Sequence, residues 1–232
     1  MKQNTKKDFS IIELFIIIIT CSFILAFVIH VEISKNRNEI NNLILNIKSY
    51  KNAINDFDKK YGFLPGDLKK TQVFDLSVNN TDGNENGLIE DENQKTGDYY
   101  SNVYLNGEVL NFWLHLYKSG FVNKTSKIFP YIDFLRSGII VFTDGENNYF
   151  HLSVSGVDKD NRIKAKNNLT PNQAYIIDRK IDDGLPIDGN VFIIGGSFLN
   201  PQNMKIAYKN CATEYEYLTV FKKKLCQIVI KL

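Results

Sequence analysis

The chain has 232 residues, with 28 Lys and Arg against 26 Asp and Glu and a formal net charge of +2. That near balance gives no electrostatic signal for nucleic acid or an acidic substrate as partner. The three His residues, His30, His115 and His151, lie far apart; no nucleophile–base or metal constellation stands out, so the reading is not that of an enzyme.

Lys2, Lys6 and Lys7 precede Phe9-Ser10-Ile11-Ile12-Glu13-Leu14 and an apolar run that reaches Ile29, with Glu13 its only charge. A helix of about 20 such residues crosses a hydrocarbon core about 30 Å thick, and the lysines predict that its N-terminal end stays in the cytoplasm. A secretory signal would have a shorter apolar region and a small-residue cut site. Here His30-Val31-Glu32-Ile33-Ser34-Lys35 follows instead. Ile18-Ile19-Thr20-Cys21 loosely matches a lipoprotein box, but more apolar residues follow Cys21, which reads as a membrane-packed thiol. A carboxylate near the start of a membrane helix is costly and calls for a partner; otherwise Glu13 reaches toward the headgroups.

Ile33, Ile40, Leu43, Ile44, Ile47, Tyr50, Ile54, Phe57 and Tyr61 recur at three-, four- and seven-residue steps. This is one apolar stripe on a helical period, ended by Gly62 and Pro65. One long helix is predicted, apolar all round in its first half and laying a stripe on a soluble domain in its second. The division is 1–8 before the helix, 9–31 as its membrane half, 32–62 as its amphipathic half and 63–232 as a globular domain, large enough for a core.

Tyr61-Gly62-Phe63-Leu64-Pro65-Gly66-Asp67 makes a turn, and a polar loop runs from Ser77 to about Tyr99. Within it, the stretch from Asp82 to Asn93 follows the D-x-[DN]-x-[DN]-G-x-I opening of an EF-hand-type calcium loop. Oxygens of Asp82, Asn84, Asn86, Leu88 and Glu90 are the candidate ligands, and Gly87 permits the sharp turn. The twelfth position is Asn93 rather than a bidentate Glu, with Glu92 one place early. Two readings stay open: a weakened calcium site, and a solvated turn rich in Asn and Asp.

Gly107 to Ser119 predicts a second, strongly apolar helix stopped by Gly120, with Trp113 and His115 read as packing. Gly138–Phe142 and Asn148–Val154 flank a Gly-containing turn and predict a hairpin. Thr170-Pro171 starts a short helix, with the capping residue first and Pro at the first helical position. Asp182 and Asp183, ahead of Gly184 and Pro186, read as turn formers.

Phe9-Ser10-Ile11-Ile12-Glu13-Leu14 resembles the F-T-L-I-E-L start of the type IV pilin and type II secretion pseudopilin superfamily. The Tyr61–Asp67 turn is similar to the Y-x-x-x-P-G-D turn of a subgroup of pseudopilin-like proteins. Ala174-Tyr175-Ile176-Ile177-Asp178-Arg179-Lys180-Ile181-Asp182-Asp183-Gly184-Leu185-Pro186 resembles the A-x-x-I-D-x-K-x-D-D-G-x-P segment of the same subgroup. The resemblance implies an α+β pilin-like fold, with the long helix packed on a small antiparallel sheet with helical insertions. It also implies that a prepilin peptidase removes residues 1–8 as a leader, cutting between Asp8 and Phe9 and methylating the new amine. In such filaments Glu13 would meet the N-terminal amine at Phe9 of a neighbouring subunit, and calcium in a loop is a familiar cofactor. The chain departs from the pattern at Asp8, where Gly is usual, and at His30, where many pilins have a kinking Pro.

Cys211 and Cys226 fall in the segment expected outside the cytoplasm, where a disulfide forms readily. Pilins often carry one near this position; two buried thiols are the other reading. The expected role is that of a filament subunit, of a pilus or a secretion pseudopilus, set in the bacterial inner membrane with its soluble domain in the periplasm or on the filament. Its partners would be other pilin subunits and membrane lipid. The rival is a single-pass anchored binding protein that keeps its leader and never polymerises.

Overall fold

The computed structural model describes residues 10–69, 82–99, 101–123, 128–195, 199 and 210–232. Asp8 and Phe9, where processing is expected, lie outside the described residues. The chain divides into two compact units, Met1–Asn42 and Leu43–Leu232.

Helix α1 runs without a break over Ile11–Tyr61, 51 residues, as the unbroken periodicity predicts. Along the apolar run its side chains are exposed, Phe15 by 61% and Phe27 by 69%. Ile33, counted in the apolar stripe, is exposed as well. The hydroxyls within the apolar run bond to their own helix: Thr20 Oγ1 donates to the Ile17 carbonyl at 2.9 Å and Ser22 Oγ to the Ile18 carbonyl at 2.8 Å. Such back-bonding satisfies a hydroxyl where no water can. The segment is long and apolar enough to cross a membrane.

In the second unit α1 buries Leu43, Ile44, Ile47, Ile54 and Phe57, spaced along one helical face. It stops at Gly62, whose φ is 79° and whose N–H donates to the Asp58 carbonyl at 2.6 Å, a Gly stop. Helix α2, Gly107–Lys118, buries Val109, Phe112, Trp113 and Leu116. Helix α3, Pro171–Ile181, opens with a capping box in which the Thr170 hydroxyl accepts the Gln173 N–H and the Gln173 side chain accepts the Thr170 N–H.

Among the described residues the sheet has six strands: β1 Tyr131–Ile132, β2 Ser137–Thr143, β3 Asn148–Val157, β4 Ile163–Ala165, β5 Val191–Ile194 and β6 Gln227–Lys231. Their order is β1-β2-β3-β6-β5, with β4 also pairing β3, and every pairing is antiparallel. The hairpin of β2 and β3 is the predicted one, with Thr143 opposite Asn148. β6 inserts between β3 and β5, so Phe150 faces Ile230 and Val191 faces Ile230 from the other side.

One aromatic core joins these layers. Tyr50 of α1 meets Trp113 edge-on at 5.0 Å, and Trp113 stacks on Phe150 of β3 at 6.2 Å. Asn168 makes a buried polar tie, donating to Ser137 Oγ and to the Leu152 carbonyl while accepting from Ser153 Oγ.

Cys211 and Cys226 are joined as a disulfide with their Cα atoms 5.2 Å apart. Cys226 also exchanges backbone hydrogen bonds with Leu169, which ties the bridge to the segment leading into α3. The fold is α+β: among the described residues, a long N-terminal helix, a six-stranded antiparallel sheet and two shorter α-helices.

Candidate functional site: the helix start and a carboxylate-braced loop

Glu13 lies in the first turn of α1. Its Oε2 accepts the Ser10 N–H at 2.9 Å, and Ser10 Oγ accepts the Ile12 N–H at 3.3 Å. The carboxylate therefore answers one of the unpaired donors that every helix start carries, at the positive end of the helix dipole. The S-x-x-E spacing of Ser10 and Glu13 is the signal that announces this local role. The reading of Glu13 as a group in need of a partner did not use it.

The loop from Asp82 onward is held from two sides by close backbone approach. A Cβ on Gly83 would fall 2.0 Å from the Asp67 backbone, and one on Gly66 would fall 2.7 Å from the Glu108 carbonyl. Gly66, at φ 95°, also donates its N–H to His115 Nδ1 at 2.9 Å. These glycines let the Pro65-Gly66-Asp67 turn, the loop and the first turn of α2 pack backbone to backbone.

With the backbones this close, carboxylates gather the loop's N–H groups. Asp67 Oδ1 accepts from Glu85 at 2.6 Å and from Asn86, and its Oδ2 accepts from Gly87 at 2.7 Å. Glu108 accepts the N–H of Asn84 at 2.9 Å on one oxygen and of Glu90 at 3.0 Å on the other. Asp91 takes the N–H groups of Asn93, Gln94 and Tyr104. Asn148, at the start of β3, accepts from the Ile89 N–H and donates to the Gly87 carbonyl. Asp67, Glu90, Asp91 and Glu108 are all buried.

Burial raises the Asp67 and Asp91 carboxyls, against the N–H donors that favour their charged forms. Burial pushes Glu108 up to about 7, with Glu90 N–H and Lys95 pulling the other way. His115 and His151 are buried, and desolvation holds both rings down at about 4, which agrees with packing for His115.

The candidate calcium ligands fall in this loop, but their donors face one another. Asn84 Oδ1 accepts the Asn86 N–H and Asn86 Oδ1 accepts the Leu88 N–H. Both Asn amino groups donate to Glu90 Oε2, at 2.7 and 2.9 Å, and Tyr99 OH donates to Glu90 Oε1. The Asp82 carbonyl accepts from Lys95 Nζ at 2.6 Å. Calcium takes six to eight oxygens turned to one centre, and this arrangement does not fit that demand. Asp67, the hub of the loop, was legible only as a turn residue.

Among the described residues, Asp178, Asp182 and Asp183 bring carboxylate oxygens within 4.8 Å of one another. Each holds backbone or side-chain donors: Asp178 those of Tyr217 and Gly184, Asp182 that of Asn190, Asp183 that of Leu185. Their geometry is that of a braced turn.

No family model, curated protein or solved structure matches the chain.

Proposed function

We propose that this protein is a structural subunit of the pilin or pseudopilin kind, assembled into a filament through the apolar half of α1. The observation that carries this reading is the joining, in one helix, of an exposed apolar segment to a soluble α+β unit. The hydroxyls of Thr20 and Ser22 bond to the helix's own backbone, so apolar side chains dominate the surface between Leu14 and Ile29. Such a surface suits lipid before assembly and neighbouring helices after it. The filament would be a type IV pilus or a type II secretion pseudopilus, built from the bacterial inner membrane, with the disulfide-bearing unit outside the cytoplasm.

In this reading residues 1–8 are removed by a prepilin peptidase, and the amine of Phe9 becomes the partner of Glu13 on a neighbouring subunit. Glu13 would then exchange its bond to the Ser10 N–H for a charged donor, which is the stronger interaction in hydrocarbon. Asp8 in place of the usual Gly favours the second reading, an anchored binding protein that retains its leader.

Mass spectrometry of the N-terminus, on protein purified from its native membrane, separates the two. A chain starting at an N-methylated Phe9, recovered with sheared filaments, supports the filament subunit. A chain starting at Met1 and absent from sheared material sinks it.

A further inference from the structure

Lys95 bridges the start and the end of the calcium-type loop. Its Nζ donates to the Asp82 carbonyl at 2.6 Å and lies 3.5 Å from Glu108 Oε1 and 3.7 Å from Glu92 Oε1. The lysine side chain is only 17% exposed, and that of Glu108 is fully buried. One positive charge thus stands among a loop carbonyl and two carboxylates, and they belong to the three segments the loop must hold together: its first residue, its last turn and the start of α2. We propose that this ammonium is the loop's built-in cation, and that the Asp82–Asn93 loop is a metal-independent form of the calcium-type motif it resembles in sequence.

The remaining donors agree with that assignment. A hard cation in this frame would need the carboxamide oxygens of Asn84 and Asn86 and the carboxylate of Glu90 turned toward it. The first two hold loop N–H groups, and Glu90 holds Asn84, Asn86 and Tyr99. Asn93, at the position of the bidentate ligand, donates its own N–H to Asp91. Placing a divalent ion there would break these bonds and set it against the ammonium, a like-charge contact. Lysine suits the place because its compact, rotatable ammonium offers three donors to three scattered oxygens.

The test is thermal unfolding of the full chain in detergent, in EGTA and in millimolar calcium, for the wild type, Lys95→Met and Lys95→Arg. The wild type should melt at the same temperature in both buffers. Lys95→Met should melt several degrees lower in EGTA, with Lys95→Arg recovering part of the loss because it keeps the charge. A wild type that gains stability from calcium and loses it in EGTA overturns the proposal. So does a Lys95→Met chain as stable as the wild type. If Lys95→Met does not fold, the wild-type comparison and Lys95→Arg still decide the matter, since a calcium-dependent wild type is incompatible with a built-in cation.

Discussion

The Tyr217 hydroxyl donates to the Asp178 carboxylate at 2.6 Å across a buried contact. It links the loop closed by the disulfide to the middle of α3. Asp178 also accepts the Gly184 N–H at 3.0 Å, so one carboxylate holds a helix, the turn that follows it and a distant loop.

Removing that hydroxyl has a cost that depends on pH. Burial raises Asp178 to about 6, and the Tyr217 hydroxyl works against that rise. A carboxyl raised in the folded state adds stability fully below its ordinary value and loses it as pH climbs through the folded value. Without the hydroxyl the folded carboxyl rises further. Tyr217→Phe should therefore lose about 1–3 kcal/mol, with a larger loss at pH 8 than at pH 5. Urea unfolding at the two pH values reads this directly, and an equal loss at both would contradict it.

The glycines of the braced loop should differ sharply in tolerance. Gly83→Ala places a methyl 2.0 Å from the Asp67 backbone, which has no flexible end to move aside, and should cost about 2 kcal/mol or more. Gly87→Ala meets no atom within 4 Å, and its penalty comes from the φ of 83° alone, about 1 kcal/mol. Denaturant midpoints of the two variants give the ranking, and the reverse order would refute the packing described.

Loss of the Cys211–Cys226 bridge should weaken the fold by about 3 kcal/mol, the chain-entropy value for a loop of this size. Reduction of the wild type should lower its melting temperature, and Cys211→Ser with Cys226→Ser should match the reduced wild type. A reductant that leaves the wild-type transition in place while freeing both thiols would show that the bridge contributes nothing.

His115 predicts a distinct acid response. Burial holds its ring at about 4, below the ordinary 6.5. Between those values the unfolded chain binds a proton that the folded chain refuses, so stability falls as pH drops through that window. His115→Asn keeps an acceptor near the Gly66 N–H and removes the titration. Its melting curve should be flatter than the wild type's between pH 6.5 and 4.5, and parallel curves would exclude the effect.

What was legible in the sequence was local. The stripe from Leu43 to Phe57, the Thr170-Pro171 start of α3 and the turn between β2 and β3 are signals contained within a few residues of one another. The strand β6 was not legible: Gln227–Lys231 is a short apolar run whose strand character comes from pairing with β3 and β5, far away in the chain. Gly66 fell in the expected turn, but its reason, like that of Gly83, contact with Glu108 and Asp67, belongs to tertiary packing. The calcium-type motif gave its residues in the right order, yet spacing says nothing of which way an Asn turns. That depended on Glu90, Tyr99 and Lys95 converging on the loop.

The position of β6 between β3 and β5 bears on how the chain is made. Its partners are synthesised long before it, and until Gln227–Lys231 arrives β3 and β5 each keep an unpaired edge. An unpaired, apolar edge is a template for adding strands from other molecules, so a nascent or truncated copy lacking these residues is an aggregation hazard until a chaperone or protease removes it.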